Sequence, residues 1–132
     1  MNIFNNIVNW NEERGLISRG FNHENEVSFI VEELLESTGK YDSVSARDKS
    51  KIIAGDITKD IDIEAEGIVD AFGDIIVFAV GAIAKNGYDP EKVMTEICKE
   101  INSRTGVLVD GKFIKDKEAE FYKADFSAAK LH

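Results

Sequence analysis

The sequence of 132 residues has one proline, Pro90, and one cysteine, Cys98. A single cysteine excludes a framework of internal disulfides, and the scarcity of proline favours helices. Only two histidines are present, His23 and His132, which excludes a histidine-rich metal site. The longest apolar run, Ile75 to Ala84, has ten residues and is too short to cross a bilayer. These absences predict a helical protein that lies outside the membrane.

Basic residues are also scarce, since 16 lysines and arginines stand against 25 aspartates and glutamates and the formal net charge is -9. This balance argues against a protein that binds the phosphate backbone of nucleic acids, which requires basic patches. The first residues show no basic segment followed by an apolar core, so a cytoplasmic location is predicted. With 43% hydrophobic and 31% charged residues the chain reads as globular, and we expect a single domain over residues 1–132.

Apolar spacing and helix-end residues divide the chain into helical segments and a hairpin. Asn22 is a predicted N-cap, and Asp89 followed by Pro90 predicts the start of another helix. Asp110-Gly111 between apolar residues is a β-hairpin signal. The predicted helices span about residues 2–14, 22–37, 63–85 and 89–106, with a short further helix in the polar stretch 41–60. We therefore predict an all-α bundle of four to five helices that ends in a short hairpin or irregular tail.

Three glutamates, Glu32, Glu33 and Glu36, form an acidic cluster on the helix predicted over residues 22–37. At roughly 100° per residue, they span an arc of roughly 100° beside the apolar face of that helix. Like charges at such spacings repel by roughly a few tenths of a kcal/mol each. A bound cation would offset this repulsion, whereas a solvated acidic face would need no ligand. For these three residues alone, both interpretations stay open.

Asp70 and Asp74 lie one turn apart on the helix predicted over residues 63–85, and Glu66 extends the same stripe towards its start. The surrounding residues are apolar nearly all round, which predicts a helix at the centre of a bundle. A buried carboxylate without a partner is costly, so aspartates at core positions require a base, a hydrogen-bond network or a metal ion. No basic residue lies near them in the sequence. Glu66 also suits the start of the helix as an exposed acid.

All the candidate ligands in these two clusters are carboxylates, whose oxygens Mg²⁺ and Mn²⁺ prefer. A di-iron bundle would need Glu-x-x-His on two helices, and neither histidine lies in such a motif. Zinc would be expected to recruit histidine or cysteine. The two clusters therefore predict a site for Mg²⁺, or for Mn²⁺, on two helices that pack side by side.

This pattern resembles the all-α nucleoside triphosphate pyrophosphohydrolases, in particular their MazG-like and phosphoribosyl-ATP pyrophosphohydrolase-like branch. The family signature is Glu-Glu-x-x-Glu on one helix, as in residues 32–36 here, and Glu-x-x-Asp on the next, ending here at Asp74. Asp70 stands one residue before the family's glutamate position, which is Ala71 in this chain. The resemblance covers about residues 10–126 and includes segments 69–78, 87–89, 100–104, 110–115 and 122–126.

The resemblance implies a Mg²⁺-dependent enzyme of nucleotide-pool housekeeping that hydrolyses a nucleoside or deoxynucleoside triphosphate to the monophosphate and pyrophosphate. The implied metal ligands are Glu33, Glu36, Asp70 and Asp74. Glu32 is either a further ligand or, like Glu33, a catalytic residue that orients or deprotonates the attacking water. The implied substrate-binding residues are Asn102, Arg104, Lys112 and Lys115.

Short helices with broad apolar faces are expected to be completed by a second copy, and the resemblance likewise implies a homodimer or a dimer of dimers. Trp10 is expected to be a core or dimer contact. The alternatives are phosphoribosyl-ATP hydrolysis and, because of Ala71, a non-catalytic helical module that binds a nucleotide or a protein. A further interpretation, an acidic mimic of DNA, would require the acids to be spread over an exposed face.

Overall fold

The computed structural model describes residues 2–116 and 120–131. Over these residues the chain is mainly helical with one two-stranded sheet, in agreement with the predicted all-α class. The described helices are α1 (Ile3–Glu13), α2 (His23–Glu36), α3 (Ser43–Ile57), α4 (Ala65–Lys85) and α5 (Pro90–Ser103). Strands β1 (Gly106–Val109) and β2 (Lys112–Lys115) form a hairpin, and a short 3-10 turn spans Ser127–Ala129.

The predicted starts of α2 and α5 are confirmed, because side chains cap their first backbone N–H groups. The Asn22 side-chain oxygen accepts a hydrogen bond from the Asn25 N–H at 3.0 Å. The Asp89 carboxylate accepts one from the Glu91 N–H at 3.0 Å and precedes Pro90, the first residue of α5. Both helices therefore begin where the sequence places their first turn.

The polar stretch 41–60 forms a longer helix than predicted. Helix α3 has 15 residues and is capped by Asp42, whose carboxylate accepts a hydrogen bond from the Ser45 N–H at 2.8 Å. Its buried positions are the small residues Ala46, Ser50 and Ala54, spaced four apart along the face that packs on α2. A face of small side chains lacks the large apolar residues on which a periodicity argument depends, so the length of α3 was missed.

The predicted hairpin is present as β1 and β2, which pair antiparallel. Its turn residues, Asp110 and Gly111, have φ of 51° and 77°, and the two-residue turn that matches strand twist requires positive φ at both positions. The helix predicted over residues 89–106 was expected to end at Gly106, but α5 ends at Ser103 and Gly106 begins β1 instead. A side chain at position 106 would collide with the Ile114 carbonyl oxygen, so the glycine serves strand pairing.

The chain divides into two compact units. Unit 1 comprises Met1–Ser18 and Glu64–His132, and unit 2 comprises Arg19–Ile63. In unit 1, α1 packs on α5, and the buried residues include Asn6, Val93 and Cys98. In unit 2, α2 packs on α3. The single domain over residues 1–132 stays a prediction.

Helix α4 belongs to unit 1, and none of its residues is buried. Val69, Val77 and Phe78 are 68%, 67% and 77% exposed. Asp70 and Asp74 are exposed as well, so the expectation that they occupy core positions of the chain is wrong. The apolar sequence correctly indicated a helix whose side chains need to be covered, but none of the described residues of unit 1 buries them.

By length and composition α4 is also the one described helix that could cross a membrane, with a mean hydropathy of 2.0 over its most apolar 18 residues. The longest uninterrupted apolar run has only ten residues and by itself is too short to cross a bilayer. Further apolar residues precede Asp70 and Asp74, so the apolar helix as a whole is longer than that run. One such helix is weak evidence for a membrane protein. Asp74, near its middle, opposes insertion by roughly 2.5–3.5 kcal/mol, and Asp70 adds a smaller cost.

Candidate functional site

The three predicted glutamates of α2 lie in different environments within unit 2. Glu32 is buried and forms an ion pair with Arg47 of α3, with 3.7 Å between Oε1 and Nε. Glu36 is half-buried, and Glu33 is exposed. Packing of α2 on α3 therefore engages Glu32 and leaves Glu33 at the surface.

Replacing Arg47 by methionine is expected to destabilise the chain. The variant keeps much of the side-chain length but removes the cation that faces the buried Glu32 carboxylate. Because the Arg47 side chain is 34% exposed, water reduces the effect, and we expect the free energy of unfolding to fall by about 1–2 kcal/mol. Urea denaturation at pH 7 measures this loss, with Arg47→Lys as the control that retains the charge. A methionine variant as stable as the wild type would show that the ion pair contributes nothing.

Asp70 and Asp74 project from α4 in unit 1, one helical turn apart and both exposed. Glu66 lies one further turn towards the helix start and is also exposed. Among residues 2–116 and 120–131, none of these three carboxylates has an ion-pair partner. Neighbouring like charges on one helix face are unfavourable, and a bound cation is the direct means of relieving them.

The four predicted metal ligands are distributed over both units. Glu33 and Glu36 belong to unit 2, whereas Asp70 and Asp74 belong to unit 1. Over the described residues, neither unit brings together three or more histidine, cysteine, aspartate or glutamate side chains that could hold a metal ion. The donor chemistry nevertheless fits a hard cation, because all four side chains are carboxylates and none is fully buried.

Two of the predicted substrate-binding residues, Arg104 and Lys115, meet at one aromatic ring in unit 1. The Arg104 Cζ lies 6.0 Å and the Lys115 Nζ lies 5.1 Å from the centre of the Phe121 ring. Arg104 also forms an ion pair with Glu100, with 2.6 Å between Nη2 and Oε2. Lys112, at the start of β2, is half-buried. The end of α5 and the end of the hairpin thus place two cations at one ring, and one of these cations is paired with Glu100.

Asn102, the fourth predicted substrate-binding residue, is exposed near the end of α5. Its Nδ2 donates a hydrogen bond to the Oδ1 of buried Asn6 on α1 at 3.1 Å. Burial of the neighbouring Cys98 thiol raises its pKa, which opposes a nucleophilic role for this residue. The Asn6 contact fixes the Asn102 carboxamide on the same end of α5 as Arg104.

Arg14 is a residue of this cluster that sequence analysis missed. Its guanidinium lies 4.5 Å from the centre of the Trp10 ring and 5.3 Å from that of Phe113. It donates hydrogen bonds to the Trp10 and Arg104 carbonyl oxygens at 3.3 and 3.4 Å, which joins the ends of α1 and α5. The spacing of four residues between Trp10 and Arg14 was the only signal in the sequence. The Trp10 indole N–H donates to the Ile101 carbonyl at 2.7 Å, so the half-buried Trp10 side chain contacts α5 within unit 1.

Residues 120–131 form a segment that we name the strap, and two glutamates of α5 bind its first half. Glu96 accepts hydrogen bonds from the Tyr122 hydroxyl and from the Asp125 backbone N–H, the latter at 3.0 Å. Glu100 accepts one from the Ala124 backbone N–H at 2.9 Å. Hydrogen bonds to ionised carboxylates are stronger than neutral ones, so the charge of these glutamates holds the strap on α5.

The strap is expected to loosen in acid. Hydrogen bonds from the Tyr122 hydroxyl and the Asp125 N–H, with a smaller effect of Lys99, lower the pKa of Glu96 from 4.5 to about 2. A carboxylate whose pKa is lowered by folding adds stability that is present above pH 4.5 and is lost as the pH falls towards 2. An NMR titration of the Glu96 carboxyl should give this low midpoint, and a higher one in Tyr122→Phe. An ordinary midpoint in the wild type would exclude the contact.

Comparison with known proteins adds no relative, since no family model matches the chain and no curated protein or solved structure matches it significantly. The resemblance to the MazG-like pyrophosphohydrolases therefore depends on the residues themselves, above all those at 32–36, 70–74 and 100–115. Membership of this chain in that family, and the corresponding activity, are proposals.

Proposed function

We propose that this protein is a Mg²⁺-dependent nucleoside triphosphate pyrophosphohydrolase, which converts a nucleoside or deoxynucleoside triphosphate to the monophosphate and pyrophosphate. The observation that best supports it is the pair Asp70 and Asp74, exposed one turn apart on a helix whose other exposed side chains are largely apolar. Neither aspartate caps the helix or pairs with a described cation. Their spacing of one helical turn places two hard oxygen ligands on one face of α4, which suits a bound cation.

We assign Glu33, Glu36, Asp70 and Asp74 as the residues that hold Mg²⁺, for which Mn²⁺ can substitute. Their carboxylate oxygens are hard ligands, which both ions prefer over nitrogen or sulfur. When bound, the ion neutralises phosphate oxygens and lowers the pKa of a water molecule. It also reverses the local field, so that an acidic site accepts a polyanionic substrate.

Glu33 is the better candidate for orienting the attacking water and accepting its proton. A general base must reach the water, and Glu33 is exposed. Glu32 is buried and paired with Arg47, so its carboxylate does not face the solvent from which the attacking water comes. We therefore assign Glu32 to fixing the rotation of α2, which keeps Glu33 at the surface.

Arg104, Lys112 and Lys115 are proposed to bind the phosphate groups. A net charge of -9 repels a triphosphate, so the cations gathered at α5 and the hairpin matter more here than in a neutral chain. Arginine offers two parallel hydrogen bonds to phosphate oxygens, and lysine offers a compact charge. Asn102, held by Asn6, is proposed to contact the nucleoside part of the substrate.

The proposed enzyme acts in the cytoplasm as a homodimer or a dimer of dimers, in a bundle of the MazG-like type completed by contacts between copies. Helix α4 is the proposed contact, since large exposed apolar surfaces mark interaction sites. Pairing with a second copy would cover Val77 and Phe78 and would leave Asp70 and Asp74 exposed to water at the edge of the contact. A bilayer would instead surround both aspartates with hydrocarbon.

The test is a panel of nucleotides incubated with the purified chain and Mg²⁺. The panel contains canonical and modified triphosphates, with dUTP and dCTP among them, and phosphoribosyl-ATP. Monophosphate and pyrophosphate are expected from at least one nucleoside triphosphate. Their absence from every substrate, with circular dichroism showing a folded helical chain, would overturn the proposal. Product from phosphoribosyl-ATP alone would assign the chain to that reaction instead.

A non-catalytic helical module that binds a nucleotide or a protein is the second candidate. It is favoured by Ala71, which stands where the family has a glutamate. Calorimetric titration with Mg²⁺ and Mn²⁺ distinguishes the two functions. A chain that binds neither ion and releases no pyrophosphate is a module, whereas metal binding together with turnover excludes this candidate.

A further inference from the structure

The strap contacts the same cations that the proposed function assigns to the phosphate groups. The Phe121 ring faces the Arg104 guanidinium at 6.0 Å and the Lys115 ammonium at 5.1 Å. The two cations come from different elements, the end of α5 and the end of β2. Phe121 is therefore the side chain that both of them share.

Glu100 links the strap to Arg104 a second time. Its Oε1 accepts a hydrogen bond from the Ala124 N–H at 2.9 Å, and its Oε2 accepts one from the Arg104 Nη2 at 2.6 Å. The Tyr122 N–H donates to the Ser103 Oγ at 2.8 Å, which fixes the residue next to Phe121 on α5. A ligand that draws Arg104 away from Glu100 therefore disturbs a carboxylate that supports the strap.

We propose that the strap is an autoinhibitory contact, in which Phe121 holds Arg104 and the exposed Lys115 by cation–π contacts until a ligand with several phosphate groups displaces the ring and binds both cations. Charge-assisted hydrogen bonds to phosphate oxygens are stronger than cation–π contacts at a partly exposed site, so the exchange favours the ligand. The inference rests on the proposed function for the identity of the substrate. The competition itself applies to any polyphosphate.

Calorimetric titration of the full chain with inorganic tripolyphosphate, without Mg²⁺, measures the competition. Phe121→Ala should bind tripolyphosphate about three- to tenfold more tightly than the wild type, because the ligand no longer has to displace the ring. Phe121→Trp restores an aromatic face and should bind as weakly as the wild type. Phe126→Ala, which removes another ring of the strap, is the matched control and should also resemble the wild type.

Equal or weaker binding by Phe121→Ala would overturn the proposal, since the ring would then be neutral or would assist the ligand. Failure of both the wild type and Phe121→Ala to bind tripolyphosphate would overturn it as well, because Arg104 and Lys115 would not be a phosphate site. Circular dichroism of each variant identifies a loss of folding.

A second measurement uses the wild type alone and so does not depend on how a variant folds. Lys123 is exposed within the strap, and trypsin should cleave after it several-fold faster once tripolyphosphate displaces the segment. Mass spectrometry identifies the cleavage site, and an unstructured lysine peptide corrects for any effect of the salt on trypsin. If the rate of cleavage after Lys123 does not change when the chain is saturated with tripolyphosphate, the ligand does not displace the strap and the proposal is overturned.

The two proposals fail separately. If the wild type releases no pyrophosphate but Phe121→Ala binds tripolyphosphate more tightly, the result supports the autoinhibitory strap and excludes the pyrophosphohydrolase activity. If the wild type releases pyrophosphate but Phe121→Ala binds tripolyphosphate no more tightly, the result supports the enzyme activity and excludes autoinhibition by the strap.

Discussion

Asp74→Asn is expected to reduce pyrophosphate release by at least about a hundredfold. The substitution keeps the size of the side chain but replaces a charged ligand by a neutral amide, which hard cations bind less strongly. Since Asp74 is exposed and pairs with no described cation, its loss should leave the free energy of unfolding within about 0.5 kcal/mol of the wild type. Turnover is measured on the best nucleotide of the panel at saturating Mg²⁺, and metal affinity by titration with Mn²⁺.

Glu66→Gln is the matched control, because Glu66 lies on the same stripe of α4 and is also exposed. It should retain near wild-type turnover, whereas Glu36→Gln, on the other acidic helix, should match the loss in Asp74→Asn. Full activity of Asp74→Asn would remove Asp74 from the metal ligands. Equal losses in Asp74→Asn and Glu66→Gln would point to the general charge of the stripe.

Phe78→Glu is expected to convert the proposed dimer into a monomer. Phe78 is 77% exposed in the single chain, and covering its ring in a dimer contributes about 1.5–3 kcal/mol per copy. Glutamate loses this contribution and adds a charge that resists burial. Because a two-fold contact repeats each change, the dissociation constant should rise by at least about a thousandfold. Sedimentation equilibrium should then give the single-chain mass of 14.7 kDa in place of twice that value.

Val107→Glu is the control for this substitution, since Val107 is 65% exposed but lies in β1, outside α4. It should sediment like the wild type. A wild-type chain that is monomeric at micromolar concentration would contradict the dimer. Recovery of the wild type only in a detergent-extracted membrane fraction would reject the cytoplasmic dimer and assign α4 to the bilayer.

The features that sequence analysis predicted correctly have local causes. Asn22 and Asp89 accept hydrogen bonds from backbone N–H groups two or three residues further along, so the helix starts depend on a few neighbours. The turn at Asp110 and Gly111 likewise follows from the φ that its own two residues adopt. The acidic residues of α2 and α4 could also be located, because their spacing alone places them on helix faces.

The features that were missed depend on contacts between distant segments. The ion pair of Glu32 with Arg47 arises from the packing of α2 on α3, and nothing in the sequence near Glu32 indicates it. Helix α4 has the composition of a core helix, yet none of its residues is buried by the described residues of unit 1. Arg14 meets Arg104 only because α1 and α5 come together.

Unit 1 is discontinuous along the chain, and this places a constraint on the order of folding. The Trp10 indole bonds to the Ile101 carbonyl across 91 residues, so closing that loop has an entropic cost that grows with its length. Helices α2 and α3 are neighbours in the sequence and can pair without waiting for any other helix. As the chain leaves the ribosome, unit 2 can close within its own segment, whereas the one described helix that α1 packs on, α5, is synthesised later.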